Sequence, residues 1–559
     1  MGVCCVTAGN SKETTMARKD RLKNRKELSR TRVSYASSER VAGESGVVIK
    51  DWGGRLPLAV AYPNSYYVGM SNLGLHTLYR LINNYPQYLA ERFFWEGGAA
   101  KGRPTLSVES RRPFTDYVSI LFTLSYELDF LNIPSMLADC GMPLYARERN
   151  EAFPLVIGGG ACVMSNPAPA ADFFDVFCIG EAEAILPELL PVLAEMAGEP
   201  KRLVLERLAK ISGLYVPSLP PEKPVERVFP SELTQGVGTA VFSKATELGE
   251  MYLMEVERGC GHQCRFCLVA GVFCPLRYRP LELLLKQAKE GMLERKRIGL
   301  VGPVVSDHPQ VAELISCLRG MGVGLSISSL RIKPLSEKML TELALSGVSS
   351  LAMAPEAGSE RLRRIIRKGI TEDDIIRAAA LVAEKGFRQL KFYFMLGLPG
   401  ETDEDIEEMI KLAEKAQQVM SAAGRGLRLS LNIAPFVPKP STPFQWLGME
   451  DAVLVKRRLD IIRLRLEGQG IEVRAESPEM SQIQAVLSRG DVSLSKLLVA
   501  AGGDSLACWK RAAKSLEVDS PSLAKTRFDL ADKLPWYMLE NPKQRQKLET
   551  EYKAAFKEI

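Results

Sequence analysis

From Thr246 to Gly470 the sequence repeats a strand–helix rhythm six times. The strand candidates are Met251–Val256, Arg297–Val301, Gly324–Ser328, Ser350–Ala354, Gln389–Met395 and Arg428–Ala434. Segments of helical period separate them, as at Ala312–Met321, Lys338–Ser346, Glu360–Arg367, Asp373–Lys385 and Glu404–Ala422. Short apolar strands alternating with helices of this length read as βα units on a parallel sheet, and six units make a partial (β/α)6 TIM barrel. The working face of such a barrel is the carboxyl end of its strands.

Directly after the first strand comes Glu-Val-Glu-Arg-Gly-Cys-Gly-His-Gln-Cys-Arg-Phe-Cys, residues 255–267. It holds Cys260, Cys264 and Cys267, with three residues and then two between them. A closed zinc site draws four ligands, usually as two separated pairs, and no second Cys or His pair follows at zinc-ribbon spacing. Three thiolates in one short loop instead hold three irons of a cubane cluster and leave the fourth iron open. His262, inside the loop, is read as facing solvent or a neighbour. Cys274, seven residues past the last ligand, is read as an ordinary loop thiol.

This spacing, with Phe266 before the last cysteine, resembles the signature of the radical S-adenosylmethionine (radical SAM) superfamily. The resemblance implies a [4Fe-4S] cluster whose open iron chelates the amino and carboxylate groups of SAM, and one-electron cleavage of SAM to a 5′-deoxyadenosyl radical. It implies further contacts at the later strand ends. Ser328-Ser329-Leu330-Arg331 follows strand three; Ser329 is assigned to SAM, and Arg331 to its carboxylate, which a guanidinium binds at two points. Ala354-Pro355-Glu356-Ala357-Gly358-Ser359 follows strand four, with Glu356 and Ser359 as ribose or methionine-end contacts. Ser359 also reads as an ordinary helix N-cap. Gly397, then Pro435 and Phe436, together with Phe266, are expected around the adenine. Where relatives have Gly-Gly-Glu for the amino group, this chain has Gly302-Pro303-Val304-Val305-Ser306-Asp307-His308, which departs from the pattern.

Ahead of the barrel, residues 47–197 alternate strands (Leu56–Tyr62, Tyr117–Phe122, Pro154–Ile157, Val176–Ile179) with helices (Leu73–Asn83, Glu127–Cys140, Ala182–Ala197). This is an α/β, Rossmann-like pattern, whose ligands bind beyond the carboxyl ends of the strands. Ser125, Gly158-Gly159-Gly160 and Gly180-Glu181-Ala182-Glu183 fall at those ends and resemble the turns of the cobalamin-binding module of B12-dependent radical SAM proteins. The resemblance implies cobalamin held by Ser125, Gly158, Gly159, Gly160, Gly180 and Glu181. The Asp-x-His-x-x-Gly motif that supplies a lower cobalt ligand is absent, and His76, the one histidine in this stretch, reads as a helix-surface or packed histidine.

The expected organisation is a basic leader (1–46), the B12-binding-like domain (47–197), a Pro-rich connector (198–247), the radical SAM core (248–470) and a helical C-terminal region (471–559). Residues 1–32 carry nine Lys or Arg against three Asp or Glu, and the rest balances, so the net +6 resides in that leader. It admits RNA or an acidic partner, or is simply solvated. With 46% hydrophobic and 25% charged residues, and no apolar run of ~18 residues, the composition speaks against a membrane protein. Eleven cysteines with no regular pairing in their spacing fit a reducing cytoplasm better than a disulfide framework. The expected function is reductive SAM cleavage and hydrogen abstraction from a substrate, with cobalamin-dependent methyl transfer as one outcome. The resemblance implies a flavodoxin or ferredoxin as electron donor. Two alternatives stand beside it. One is a methylthiotransferase-like modifier of RNA or protein, suggested by Cys140, Cys162 and Cys178; the other is a cluster-bearing sensor or nucleic-acid-interaction protein.

Overall fold

Six strands form the first sheet, in a computed structural model that describes residues 43–97, 105–196, 198–423 and 426–557. In chain order its elements are β1 (Leu56–Tyr62), α1 (Leu73–Asn83), β2 (Tyr88–Phe94), β3 (Ser119–Thr123), α2 (Ile133–Asp139), β4 (Leu155–Gly159), α3 (Ala161–Ser165), β5 (Val176–Cys178), α4 (Ala182–Glu195), α5 (Lys201–Leu208) and β6 (Leu214–Tyr215). The strand order is β2-β1-β3-β4-β5-β6, with β6 alone antiparallel. The order reverses between β1 and β3, and the carboxyl ends of strands at such a switch point leave a crevice for ligands. α5 and β6 come from the stretch read as a connector, and they complete the sheet. Most of the basic leader lies outside the described residues.

β2 was not apparent in the sequence because Glu91 and Arg92 interrupt its apolar run. Both are buried and both are partnered, as buried charges must be. Arg92 Nε donates to Glu109 Oε1 at 2.6 Å and its NH2 to Glu44 Oε2 at 2.7 Å. Glu91 accepts from Trp52 Nε1 at 3.1 Å and from the Tyr117 hydroxyl at 2.5 Å.

The second unit comprises β7 (Tyr252–Glu255), β8 (Glu257–Arg258), α6 (Leu268–Val272), β9 (Arg277–Tyr278), α7 (Leu281–Met292), β10 (Arg297–Val301), α8 (Val311–Gly320), β11 (Gly324–Ile327), α9 (Glu337–Leu345), β12 (Ser350–Glu356), α10 (Glu360–Ile365), α11 (Glu372–Glu384), β13 (Gln389–Leu396), α12 (Asp403–Ala422), β14 (Arg428–Pro435), α13 (Ala452–Glu467) and β15 (Glu472–Ala475). Two parallel sheets, β11-β10-β7 and β12-β13-β14-β15, meet at a single bridge from Leu330 to Met353. The result is an open barrel with β7 and β15 at its edges. Alternation along the strands produces it: Leu390, Phe392, Phe394 and Leu396 of β13 pack with Ile375, Val382, Ile406 and Ile410 of the helices. The intervening Tyr393 and Met395 face the concave side. Thr371 and Thr402 start their helices with capping boxes that use Asp374 and Asp405. β15 is a seventh strand beyond the six expected, with only Val473 buried and charges at Glu472 and Arg474.

The C-terminal helices α14 (Pro478–Arg489), α15 (Leu494–Ala501), α16 (Leu506–Ser515), α17 (Ser520–Lys525) and α18 (Pro542–Phe556) follow. Ile483, Leu497, Trp509 and Trp536 share one apolar core with Phe122, Phe130 and Phe173 of the first domain. This region is therefore a structural wall for the first sheet, not an appendage. Glu127 ties all three parts together, since it accepts from Lys439 Nζ at 2.5 Å and from Gln484 Nε2 at 2.8 Å. Among the described residues no helix is long and apolar enough to cross a membrane.

Burial holds the carboxyl of Asp129, at the crevice end of β3, up to about 6. The unfolded chain would lose that proton near pH 4, so between about pH 4 and 6 the native state binds more protons than the unfolded one. Native stability then falls as pH rises through that window and stays lower above it. Asp129→Asn should flatten this dependence. The expected gain is up to about 3 kcal/mol at pH 7.5, with no gain near pH 4, read as melting temperature against pH.

Candidate active site

β8 and β9 pair antiparallel, Glu257 with Tyr278 and Arg258 with Arg277, and form the neck of the cysteine loop. Gly259 opens the loop at φ +87°, and a Cβ there would lie 2.5 Å from the Phe273 carbonyl oxygen. Only glycine fits that position. Across the loop, the Arg265 N–H donates to Ile366 O at 3.0 Å, and the Arg265 guanidinium donates to Ile365 O at 2.8 Å. A cationic side chain thus caps the C-terminus of α10 and fixes the middle of the loop.

Cys260, Cys264 and Cys267 are all partly covered, and burial raises each thiol, Cys267 to about 11. Backbone N–H groups are aimed at the sulfurs: that of His262 lies 3.4 Å from Cys260 Sγ, and those of Val269 and Ala270 favour the Cys267 thiolate. Thiols desolvated and flanked by donors suit ligation, in which the metal displaces the proton. No three Cys, His, Asp or Glu side chains among the described residues converge on one ion. A cubane does not require that, because each thiolate meets its own iron. The donor set therefore fits a [4Fe-4S] cluster with one open iron.

The charges that act on the Cys264 thiol are Lys368, Glu356 and Arg331. Two of the residues expected at the methionine end of SAM thus lie close enough for their charges to act on the central cysteine. Glu356 ends β12 at φ +68° and accepts from Lys368 Nζ at 3.0 Å. Arg331 NH1 lies 3.3 Å from Asp307 Oδ2 and 2.5 Å from His262 Nε2, and His262 Nε2 lies 2.6 Å from Asp307 Oδ2. His262, read as solvent-facing or in contact with a neighbour, is held by this cluster.

The other expected contacts divide. Ser329 is exposed at the β11 end. Ser359 is buried and committed as the α10 N-cap: it accepts from Leu362 N at 3.2 Å and donates to Asp405 at 2.5 Å. The ordinary-cap reading holds for it. Gly397 takes the left-handed turn at φ +79°, with its N–H given to Glu401 at 2.7 Å. Pro435 ends β14 opposite Leu396. Phe436 is buried against Phe444, ring centroids 5.9 Å apart, in a cluster that half-buried Phe266 joins from its edge. Phe436 is thus a floor beneath the strand ends, and Phe266 is the open ring.

A second concavity of about 370 Å³ lies in the crevice of the first sheet. Ser125, Gly159, Gly160, Gly180 and Glu181 line it, over an apolar floor that includes Leu121, Ile157 and Leu186. Gly160 sits at φ +119°, and a Cβ there would meet the Leu124 carbonyl oxygen at 2.4 Å. Gly158 does not line the cavity. It lies under Phe177 and Phe174, whose rings a Cβ would touch at about 3 Å, so it is a packing glycine. Glu181 lines the cavity, but Arg277 and Arg258 hold its carboxylate at 2.6 and 2.7 Å. It is a structural acid, not a free ligand. His76 is buried, with Nε2 2.9 Å from Met70 O and Nδ1 accepting from Ala240 N at 3.2 Å, and burial lowers it to about 4. It is a packed histidine, not a helix-surface one.

The family described as the radical SAM superfamily matches residues 254–413, and that described as radical SAM proteins, N-terminal, matches residues 74–217. An uncharacterized protein of Methanocaldococcus jannaschii, MJ0966, is 34% identical over 446 residues, which is 79% of this chain and 90% of that protein. The chain belongs to the radical SAM superfamily. It is also 26% identical over 255 residues to the tRNA-2-methylthio-N(6)-dimethylallyladenosine synthase of Chromohalobacter salexigens, covering 41% of this chain and 53% of that enzyme. Among solved structures, TsrM from Kitasatospora setae is similar at a TM-score of 0.47 and 15% identity, covering 67% of this chain and 72% of that one. The cobalamin-dependent enzyme OxsB is similar at 0.49 and 12% identity, covering 97% and 89%.

Membership makes this an enzyme that uses a [4Fe-4S] cluster and SAM. Lys368 belongs to the same segment after strand four as Glu356, and the turn after α10 brings it back to that carboxylate. One contact of the cysteine loop was not assigned from sequence. Glu551 of α18 reaches Arg265 in the cluster loop at 3.2 Å and Arg367 at 2.7 Å, across 286 and 184 residues. Glu551→Ala should leave folding nearly intact, at a cost of about 1 kcal/mol, since the pair is partly exposed. The reconstituted cluster should bleach several-fold faster in air, followed by its visible absorbance. An unchanged bleaching rate would remove α18 from any role in shielding the loop.

Proposed function

We propose that this radical SAM enzyme binds a corrinoid in its first domain and transfers a methyl group to an unactivated carbon of its substrate. The observation that carries this reading is the cavity at the switch point of the first sheet, whose wall also includes Arg258 and Phe273 on either side of the cysteine loop. At about 370 Å³ it is at the small end of ligand pockets, which suits the nucleotide tail of a corrinoid and not its macrocycle. The apolar floor suits a flat heterocycle, and Gly159, Gly160 and Gly180 offer backbone edges without side chains. Ser125, exposed beside Asn72, would meet the ligand at the mouth. With His76 committed to backbone groups, this domain would offer a corrinoid no free imidazole.

When bound, the cluster supplies the electron that cleaves SAM, and the corrinoid supplies the methyl group. This chain's residues bind and orient. Arg331 meets the SAM carboxylate, Asp307 offers an acidic acceptor to its amino group, and Glu356 with Lys368 lies beside Cys264 at the methionine end. Phe266 and the Gly397 turn flank the adenine. A flavodoxin- or ferredoxin-type reductant completes the cycle. The methylthiotransferase alternative needs a second cluster on Cys140, Cys162 and Cys178. Cys140 and Cys162 pack in the core on one face of the sheet and Cys178 against the core on the other, which favours the reading with a single cluster.

The test is anaerobic reconstitution with and without hydroxocobalamin, reduction by dithionite, and mass spectrometry of the SAM products. 5′-Deoxyadenosine with S-adenosylhomocysteine and retained corrinoid is the expected result. 5′-Deoxyadenosine alone, with no corrinoid retained after gel filtration, would leave a radical SAM enzyme whose first domain serves another ligand.

A further inference from the structure

The neck of the cluster loop carries three arginines in a space shared by both domains. Arg258 on β8 and Arg277 on β9 are register partners, and Arg279 follows two residues later. Cations directly opposite each other on paired strands repel. Three carboxylates neutralise them: Glu181 and Glu183 from the start of α4 in the first domain, and Glu255 from the end of β7. All six side chains are at most 17% exposed. Arg277 grips Glu181, and Arg279 pairs with Glu255.

Arg258 alone joins all three acids. Its NH1 donates to Glu181 at 2.7 Å and to Glu183 at 3.2 Å, its NH2 to Glu183 at 3.0 Å and to Glu255 at 2.8 Å, and its Nε to Glu255 at 3.2 Å. A planar fork with every nitrogen engaged by acids from two domains admits one orientation. A buried ion network of this kind contributes little net stability against an apolar replacement, because desolvation offsets attraction. What it does specify is geometry. Cys260 lies two residues beyond Arg258, with only Gly259 between them, so the direction in which Arg258 is held is the direction in which the loop leaves the barrel.

We infer that Arg258 is a positioning residue for SAM cleavage: it orients the cysteine loop, which would hold the cluster, against the first domain and toward the strand ends that carry Arg331 and Glu356. The inference rests on the family assignment and not on the corrinoid. Its consequence is mechanical. The first domain contributes to the reductive step through Glu181 and Glu183, whatever ligand its cavity holds.

Replacing Arg258 by methionine alone would strand Glu183, because Glu181 keeps Arg277 and Glu255 keeps Arg279. The informative variant is therefore the double R258M/E183Q, which removes the orphan charge as well. Arg258→Lys serves as its partner, keeping the charge but not the fork. Each is reconstituted without corrinoid and compared with wild type in iron content, melting temperature, 5′-deoxyadenosine kinetics, and the electron paramagnetic resonance spectrum of the reduced cluster before and after SAM. In both variants we expect a cooperative melt near that of wild type and roughly four irons per chain. We expect 5′-deoxyadenosine formation at saturating SAM to be at least tenfold slower, and the spectral change on adding SAM to be weakened. A cooperatively melting variant that cannot retain iron supports the same role. Wild-type kcat and an unaltered spectral change in either variant would overturn the inference and leave the network as a structural seam. A double variant that fails to melt cooperatively passes the decision to Arg258→Lys.

Discussion

Cys264→Ala should abolish both iron binding and SAM cleavage, a loss of at least a thousandfold in 5′-deoxyadenosine formation. Of the three loop cysteines, Cys264 is the one whose thiol feels Lys368, Glu356 and Arg331 together. Removing it takes away one of the three thiolates that would hold the cluster. The backbone should survive, because Arg265 anchors the loop through main-chain groups and those bonds do not involve the thiol. The variant should melt like apo wild type, and iron assay with product detection would separate lost chemistry from lost folding. Retained SAM cleavage in a chain lacking Cys264 would remove the cluster assignment, and with it the SAM-binding roles of Arg331 and Glu356.

Much of this site was legible because its determinants are local. The cysteine spacing lies within eight residues, and the six strands of the core carry an alternation that needs no partner to be seen. What escaped was non-local. β2 reads as a broken apolar run until Glu44 and Glu109 are placed beside Arg92. Glu181 reads as a ligand-facing acid until two arginines, 77 and 96 residues away, take its carboxylate. Gly158, Gly159 and Gly160 look equivalent in a run of three. The pleat turns Gly158 toward the phenylalanine core and Gly159 toward the cavity, and the turn at φ +119° that ends the strand brings Gly160 to the cavity as well. Ser359 carried two readings of similar appeal, and the choice fell to Asp405, which only the packing of α12 brings near. Sequence located the strand ends; the side chains at those ends were sorted by distant partners.

Gly159→Leu should abolish corrinoid retention, at least a hundredfold in affinity, while leaving SAM cleavage in the absence of corrinoid within a factor of about two. The argument depends on what surrounds Gly159. A Cβ there meets only Cys178 Cβ, at 3.5 Å, an ordinary van der Waals distance, whereas at Gly160 it would strike the Leu124 carbonyl oxygen at 2.4 Å. Gly159 also needs no left-handed backbone, so the strand end accepts a side chain without strain. The added isobutyl group then extends from the end of β4 into the cavity of about 370 Å³ and takes space that the ligand would fill. Buried in that apolar slot, it should cost the fold little. Equilibrium dialysis with hydroxocobalamin measures the first effect, and anaerobic 5′-deoxyadenosine formation the second. Undiminished corrinoid binding by a properly folded Gly159→Leu protein would move the cofactor out of this cavity. Loss of both activities would mean that the cavity and the cluster loop are coupled, as their shared wall at Arg258 and Phe273 allows. The ligand of the first domain would then bear directly on the reductive step.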